Sequence, residues 1–316
     1  MRLFLALLLA ASQAFAQYPA RPVRVMVGFA PGGPNDIIAR AYGARLGENL
    51  GQPFVVENRT GAAGNLAAEA VARAAPDGHT LMLGSTGTNA VNPTLYANLP
   101  FDLVRDLTPV AIVATSPSAL AVHPKVAAQS VRELVALAKA QPGKLTYASA
   151  GSGSSQHLSA ELFKQAAGVD IVHVPYKGAA PGITDLLAGQ VDMSFAPVAN
   201  VVPHARSGKL RLLGLTGSAR SEFAPGVPTI AESGVPGFDV MTWYAIFATA
   251  GTPAEIVGRL NAELKKIAQG AELREQLANL GIDAAASASP AEARAYRDAE
   301  VERWGKLVRA LGLRSE

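Results

Sequence analysis

The feature that most constrains the fold is an alternation of short apolar runs with helical stretches, which begins near Arg21. Residues 24–29 (Arg-Val-Met-Val-Gly-Phe) have the character of a buried strand, and residues 35–50 follow with apolar side chains at helical spacing. The same change of pattern recurs at residues 80–83 and at residues 145–148. Strands that alternate with helices predict an α/β protein.

The alternation also sets the expected element order. We expect further strands at residues 54–56, 171–174, 192–196 and 210–216, and further helices at residues 66–74 and 156–167. The segments 84–89 and 149–155 are expected to be loops that follow strands.

Three helix starts have the capping-box pattern, in which a Ser or Thr is followed three residues later by Glu. They are Ser130–Glu133, Thr252–Glu255 and Ser289–Glu292. From Thr252 onward the pattern is helical almost throughout, which predicts a helical cover on an existing sheet.

Composition narrows the class of protein. The 316 residues suggest two domains at roughly 150 residues each. The chain has 28 Lys and Arg against 25 Asp and Glu, so its net charge of +3 does not predict a nucleic-acid partner. It has no cysteine, which excludes disulfides and thiolate metal sites, and its five histidines lack metal-ligand spacing. We therefore expect no cofactor and no metal.

The N-terminus predicts export. A short positive segment, Met1-Arg2, precedes an apolar run from Leu3 to Ala11, and Ala14-Phe15-Ala16 has small residues where signal peptidase cleaves. A bilayer-spanning helix needs about 20 apolar residues, so this run is too short to be one. We expect a signal peptide over residues 1–16 and a periplasmic mature chain from Gln17; a buried N-terminal helix is the alternative.

Two glycine-rich loops are candidate anion sites. Pro31-Gly32-Gly33 and residues 151–155 (Gly-Ser-Gly-Ser-Ser) each follow a predicted strand and open a predicted helix. Glycine lets backbone approach a ligand, and a helix start presents free N–H groups at the positive end of the helix dipole. Two such loops suggest an anion with two ends, whereas tight turns without a function are the alternative.

Polar residues at other strand ends are supporting candidates. Ligands of open α/β sheets bind at the carboxyl ends of strands. Side chains at such positions are Ser85, Thr86, Thr88, Asn89, Tyr176 and Lys177. Asp36, in the first turn of the first predicted helix, is expected to cap or charge that turn, or to receive an amino group.

An enzyme is the competing hypothesis. The loop at residues 151–155 lies next to His157, so a serine hydrolase using this loop is an alternative to a binding protein. The sequence has no G-x-S-x-G elbow, no Walker loop and no complete G-x-G-x-x-G. A binding protein without catalytic residues is the favoured interpretation.

An ordered set of short motifs resembles a known family. The motifs begin with Pro31-Gly32-Gly33 and Asp36, and include Val56-Glu57-Asn58-Arg59 and Gly61-Ala62-Ala63-Gly64. Later members are Pro76-Asp77-Gly78, Asn92-Pro93, Pro142-Gly143-Lys144-Leu145, the loop at residues 151–155 with His157, Val174-Pro175-Tyr176-Lys177-Gly178, Gly189-Gln190-Val191-Asp192 and Val227-Pro228-Thr229. In this order they resemble the Bug-type solute-binding receptors of tripartite tricarboxylate transporters across essentially the whole mature chain.

The resemblance implies a two-lobed periplasmic-binding-protein fold of type II character, with each lobe a mixed sheet flanked by helices and the ligand cleft between the lobes. Lobe 1 would comprise residues 17–115 and 236–316, and lobe 2 residues 116–235. The crossings would lie at residues 114–118 and 233–238. A monomeric receptor would carry a small organic carboxylate, a di- or tricarboxylate or an aromatic acid, to a two-subunit membrane permease; a sensory partner is the alternative.

The candidate ligand-binding residues combine both arguments. They are Phe29, Pro31, Gly32, Gly33, Asn35, Asp36, Ser85, Thr86, Thr88, Asn89, Ser149, Gly151, Gly153, Ser154, Ser155, His157, Tyr176 and Lys177. The chain departs from the family where Ser or Thr commonly follows the two glycines, because it has Pro34-Asn35. Proline removes a backbone donor there, and Asn35 is expected to supply a contact or to cap the helix.

Overall fold

The computed structural model describes residues 18–314 apart from residues 97, 152, 177, 178 and 222. The expected signal peptide and Lys177 lie outside the described residues. The strands are β1 Val23–Val27, β2 Phe54–Asn58, β3 Thr80–Ser85, β4 Leu107–Val122, β5 Thr146–Ser149, β6 Val172–Pro175, β7 Met193–Pro197, β8 Arg211–Leu215, β9 Met241–Thr249 and β10 Asp283–Ala284.

Helices connect most of these strands, as the alternation predicts. They are α1 Pro34–Leu50, α2 Asn65–Ala72, α3 Asn92–Leu95, α4 Val131–Ala140, α5 Ser155–Ala167, α6 Ala179–Leu187, α7 Val198–Arg206, α8 Ala254–Ala268, α9 Ala271–Ala278 and α10 Pro290–Ala310. A 3-10 turn, Ala62–Gly64, precedes α2, and a π-helical turn, Gly87–Val91, precedes α3. Within the described residues no helix combines the length and the apolar character that crossing a membrane requires.

The strands are ordered β2-β1-β3-β9-β4-β7-β5-β6, with β8 and β10 also paired to β4. Strand β1 runs parallel to β2 and β3, and β5 runs parallel to β6 and β7. The antiparallel strands β9 and β4 stand between these two parallel groups. The sheet is therefore mixed, as expected.

The first parallel group consists of β1, β2 and β3, and alternate side chains of β1 and β3 are buried on opposite faces of the sheet. Val25 and Leu81 belong to one buried apolar cluster, whereas Met26 and Met82 belong to another. Helices cover both faces, so the strands are nearly continuous apolar runs. This burial explains why these strands were evident from the sequence.

Strand β4 connects the two parallel groups. Its first part, Leu107 to Pro117, pairs with β9, and its last part, Ser118 to Val122, pairs with β7. The partners change within residues 114–118, one of the two expected crossings. Periodicity does not predict β4, because prolines interrupt it; Pro109 is accommodated beside a register shift of the β4–β9 pair.

The predicted helix starts have different outcomes. Ser130 and Ser289 accept hydrogen bonds from the backbone N–H groups of Glu133 and Glu292, which confirms two capping boxes. The prediction at Thr252 is wrong. Helix α8 begins after Pro253, and the Thr252 hydroxyl donates to the carbonyl of Thr249 instead.

Two other local predictions need correction. The expected loop at residues 84–89 is wrong, because Gly84 and Ser85 belong to β3 and the chain then enters the π-helical turn at Gly87. The C-terminal cover contains the two-residue strand β10, which pairs with Ala114 and Thr115 of β4. Both departures arise because tertiary contacts override local preference.

Helix α10 closes the fold over β4, the π-helical turn and α3. It carries the buried carboxylate of Glu300, which accepts hydrogen bonds from the indole N–H groups of Trp243 and Trp304 at 3.1 and 2.9 Å. Arg303 pairs with Glu300 and donates to the carbonyl of Asp239. This network joins the C-terminal helix α10 to Trp243 on β9 and to Asp239, which precedes β9.

Candidate functional site

A cavity of about 420 Å³ lies where the ends of β1, β3, β5 and β9 approach one another. Six predicted residues line it: Phe29, Asn35, Ser85, Gly153, Ser154 and Ser155. Eight further lining residues were not predicted: Ala63, Gly87, Asn92, Leu95, Tyr96, Ala150, Thr242 and Tyr244. Phe29 and Asn35, which flank the first glycine-rich loop, thus meet residues 153–155 of the second loop at one cavity, at the strand ends where α/β sheets bind ligands.

The amino ends of two helices meet at this cavity. Helix α1 begins at Pro34 with Gly33 as its N-cap, and α5 begins at Ser155 with Ser154 as its N-cap. Asn35 in the first turn of α1 lines the cavity, as do Ser154 and Ser155 at the amino end of α5. With 17 and 13 residues, both helices present a positive dipole end to the cavity. This arrangement favours an anion.

Asn35 supplies the most direct indication of a ligand. The residue is 8% exposed, and its side-chain amide nitrogen Nδ2 is buried without a hydrogen-bond partner. An unpaired buried donor costs about 1–3 kcal/mol of stability, so such groups call for an explanation. Because Asn35 lines the cavity, a bound acceptor would satisfy this donor.

The carboxylate of Asp36 is hydrogen-bonded to other residues of the protein, and Asp36 does not line the cavity. Its carboxylate accepts hydrogen bonds from Arg40 at 3.0 Å, from the Gly32 N–H at 3.0 Å and from Asn58 at 2.9 Å. The Arg40 hydrogen bond is the main cause that lowers the pKa of Asp36 to about 2. Asn58 also donates to the carbonyl of Phe29. Asp36 therefore organises the first loop, and the N–H of Gly32 is directed to it.

The other first-loop residues do not line the cavity. Pro31, Gly32 and Gly33 are absent from the described lining, although Gly33 accepts the first hydrogen bond of α1 from Ile37. Gly32 has a φ of +82°, which explains the requirement for glycine at this turn.

The polar residues after β3 mainly stabilise the cavity wall. The Thr86 hydroxyl accepts a hydrogen bond from the Trp243 N–H at 2.9 Å, and the Thr88 hydroxyl donates to the carbonyl of Ala63 at 2.9 Å. Asn89 accepts from the Ser85 N–H at 3.1 Å. Thr86, Thr88 and Asn89 are buried behind the lining, and Ser85 alone of this group lines it.

Two stacked histidines support the second loop. The rings of His157 and His173 lie 4.1 Å apart, and Nδ1 of His157 accepts from the Gly153 N–H at 3.1 Å. His173 Nε2 and the Ser149 hydroxyl are hydrogen-bonded at 2.6 Å, and Ser149 accepts from the Gly151 N–H. Ser149, Gly151 and His157 therefore hold the loop from behind and do not line the cavity.

The surroundings of the stack disfavour its charged forms. Burial, followed by the neighbouring His157 ring, lowers the pKa of His173 to about 4. Burial also lowers the pKa of His157. Both rings are therefore neutral near pH 7, which leaves His157 Nδ1 free to accept the bond from Gly153.

The hydrogen bonds of this loop do not form a nucleophile–base pair. Ser154 accepts a hydrogen bond from the backbone N–H of His157, whereas the His157 ring is bonded to Gly153. In the described part of the loop no hydroxyl bonds the His157 ring. The serine–histidine contact that exists, Ser149 with His173, lies behind the lining with Ser149 only 1% exposed. This geometry gives the hydrolase hypothesis no activated hydroxyl at the cavity.

Tyr176 lies away from the cavity as well. Its hydroxyl donates to Asp185 at 2.7 Å, and burial together with that carboxylate raises the pKa of Tyr176 to about 12. No group of three or more His, Asp or Glu side chains placed to hold a metal ion occurs within the described ranges.

Six of the eight unpredicted lining residues come from strand β9 and from the segment between β3 and β4; Ala63 lies in the 3-10 turn before α2, and Ala150 follows β5. Thr242 and Tyr244 lie on β9, and Leu95 and Tyr96 end the short helix α3. Ala63 has a φ of 51°, an uncommon conformation for alanine, and its carbonyl accepts from Thr88 and Asn92. The positive φ was not visible in the sequence, although the motif around Ala63 was.

Comparison with known proteins decides the family. The model of the tripartite tricarboxylate transporter family receptor matches residues 38–313. The chain belongs to this family. The receptor-family relatives include the BugT protein of Bordetella pertussis, which is 39% identical over 93% of this chain and 90% of its own length. A protein encoded in the tcbD–tcbE intergenic region of Pseudomonas sp. strain P51 is 41% identical over 94% of this chain and 88% of its own.

Solved structures of the receptor family share the fold. An R. palustris protein with adipate is 37% identical, with a TM-score of 0.80 over 94% of this chain and 99% of that one. MatC from Rhodopseudomonas palustris with bound malate is 36% identical, with a TM-score of 0.76 over 92% of this chain and 100% of its own. The mixed α/β architecture described above is that of two-lobed periplasmic solute-binding proteins.

Proposed function

We propose that this receptor captures a small organic carboxylate in the cavity between the amino ends of α1 and α5. The observation that carries the proposal is that Asn35, a residue of the cavity lining, has a buried Nδ2 without a hydrogen-bond partner. The two helix dipoles supply the positive potential, and the hydroxyls of Ser85, Ser154 and Ser155 supply further donors. The adipate and malate bound by the two R. palustris relatives support this ligand class.

The lining narrows the class of acid. None of the described lining residues is an Asp, Glu, Lys, Arg or His. A ligand ammonium group would lose its hydration without gaining a carboxylate partner, which is costly. Phe29, Tyr96 and Tyr244 instead offer apolar and aromatic surface. We infer that the ligand is an acid with an apolar chain or ring and no amino group.

We also propose the wider setting of this binding. The chain is exported by residues 1–16 to the periplasm and delivers its ligand, as a monomer, to a two-subunit membrane permease. Lobe 1 comprises residues 17–115 and 236–316, and lobe 2 residues 116–235, which places the change of partners along β4 at the boundary. The cavity then lies between the lobes and closes by hinge bending.

Calorimetry on refolded protein tests the proposal. Denaturing and refolding strips co-purified ligand, and the protein is then titrated with mono-, di- and tricarboxylates, aromatic acids and amino acids. Asn35→Ala removes a hydrogen bond to a charged group, so we expect about tenfold to hundredfold weaker binding of the best acid. Asn35→Asp adds a repelling carboxylate and is expected to abolish binding.

Asn279→Asp makes the same chemical change at an exposed position outside this cavity, so it should bind like the unaltered protein. Binding of no carboxylate by the refolded, native-like protein would reject the proposed function. Unchanged affinity in Asn35→Asp would reject the assignment of the cavity.

A further inference from the structure

Leu95 makes a contact across the cavity that no motif predicted. It ends helix α3, lines the cavity and is 8% exposed. A Cβ atom placed on Gly153, in the second loop, would lie 2.8 Å from Cδ2 of Leu95. The two wall segments therefore touch here, and a side chain at position 153 would displace the Leu95 side chain.

Hydrogen bonds and helix packing fix the position of helix α3, which carries Leu95. Asn92, at the start of the same helix, donates to the carbonyl of Ala63 at 3.1 Å and to Asn65 at 2.8 Å. Helix α10 packs against α3 so closely that a Cβ on Gly305 would lie 2.8 Å from the Thr94 hydroxyl. Leu95 itself belongs to a buried apolar cluster, and because close-packed interiors have few voids, a displaced Leu95 would disturb its neighbours.

The Gly153 side is fixed by other means. Gly153 has a φ of +78°, and its N–H donates to the neutral His157 ring. The adjacent Ser154 caps α5, so a shift of Gly153 would disturb the amino end of that helix. A longer ligand therefore gains room only by displacing the packed Leu95 side chain or by moving Gly153 at the cost of its hydrogen bond to His157.

We propose that Leu95, packed against Gly153, sets the length of the acid that the closed cavity accepts. This inference rests on the proposed function and names the residue that determines its specificity. Acids with chains longer than the space between the two helix ends meet Leu95. Truncating Leu95 removes Cγ and both Cδ atoms and opens the cavity on that side.

The test measures affinity along a series of unbranched dicarboxylates from succinate through adipate and suberate to sebacate. Leu95→Ala should move the preferred acid to a longer member, by about tenfold in relative affinity for two added methylenes. Leu95→Val, a milder change, should move it in the same direction by less. Leu280→Ala, at an exposed position in the turn after α9 and outside the cavity lining, should leave the profile unaltered.

Thermal unfolding without ligand establishes whether each variant folds. If Leu95→Ala does not fold, Leu95→Val still tests the inference. An unaltered length profile in the folded variants would overturn the inference. Equal weakening for every chain length would also overturn it, because Leu95 would then contribute to closure rather than to selection. If the unaltered protein binds none of the acids, the proposed function itself fails.

Discussion

The Nδ1 atom of His157 accepts a hydrogen bond from the backbone N–H of Gly153, so a buried imidazole supports the loop that lines the cavity. His173 stacks on the same ring and holds Ser149. The second loop is thus supported by two bases that must remain neutral. This dependence makes its stability sensitive to pH.

The first prediction concerns His173. Its pKa of about 4 lies below the value near 6.5 of an unfolded histidine, so between these pH values the unfolded chain binds more protons. Stability contributed by the neutral ring is full above about pH 6.5 and is lost as the pH falls toward 4. Melting temperature measured across this range should fall less steeply in His173→Gln. His204→Gln replaces an imidazole outside the stack and should keep the slope; an unchanged slope in His173→Gln would contradict the prediction.

The second prediction concerns Gly153. Gly153→Ala forces alanine into a φ of +78° and against Leu95, whereas Gly208→Ala has a φ of +73° with open space around the new Cβ. The backbone cost is about 1–2 kcal/mol at both positions, so urea unfolding should show Gly153→Ala as the less stable variant. Adding Leu95→Ala should recover part of the difference. Equal losses for Gly153→Ala and Gly208→Ala would refute the contact.

The third prediction concerns Glu300. Glu300→Ala leaves two buried indole donors, on Trp243 and Trp304, without their acceptor. The expected loss is at least about 2 kcal/mol in the free energy of unfolding, measured in urea. Glu302→Ala, on the exposed side of the same helix, should change stability by less than about 0.5 kcal/mol. A loss for Glu300→Ala no greater than this would argue against the network.

The fourth prediction concerns Asp36. Its pKa of about 2 lies below the ordinary aspartate value near 3.9, so the stability it contributes is present above about pH 4 and is lost as the pH falls toward 2. Asp36→Asn should be less stable than the unaltered protein at pH 7 and should lack this acid-dependent loss. Thermal unfolding between pH 2 and 7 measures both, with Asp170→Asn as an exposed control. Parallel curves for Asp36→Asn and the unaltered protein would contradict the prediction.

Local chemistry explains which elements could be predicted. Val25, Leu81 and their neighbours are buried on both faces of the sheet, so their strands appear as apolar runs in the sequence. Ser130 and Ser289 cap helices through bonds to residues three positions away, which sequence spacing can show. Thr252 has the same spacing, but its hydroxyl bonds the preceding strand end, which spacing cannot show.

The sequence predicted cavity residues mainly where their position depends on residues nearby in the chain. Asn35 and Ser154 lie at helix starts that follow glycine-rich loops, so their placement followed from the motif. Leu95 and Tyr244 line the same cavity from α3 and β9, and nothing in their own surroundings marks them. Their position depends on which strands pair across the sheet, a long-range property that short motifs do not contain.

The pairing of β3 with β9 has a consequence for how the chain is made. Leu81 lies opposite Ala248, and β9 in turn pairs with β4. Until residue 249 has left the ribosome, β3 lacks its neighbour and the first parallel group retains an open edge. Non-local pairing of this kind forms slowly because a long loop must close first. The order of strands therefore delays completion of the sheet until most of the chain has been synthesised, and such late folding is compatible with the export that we propose.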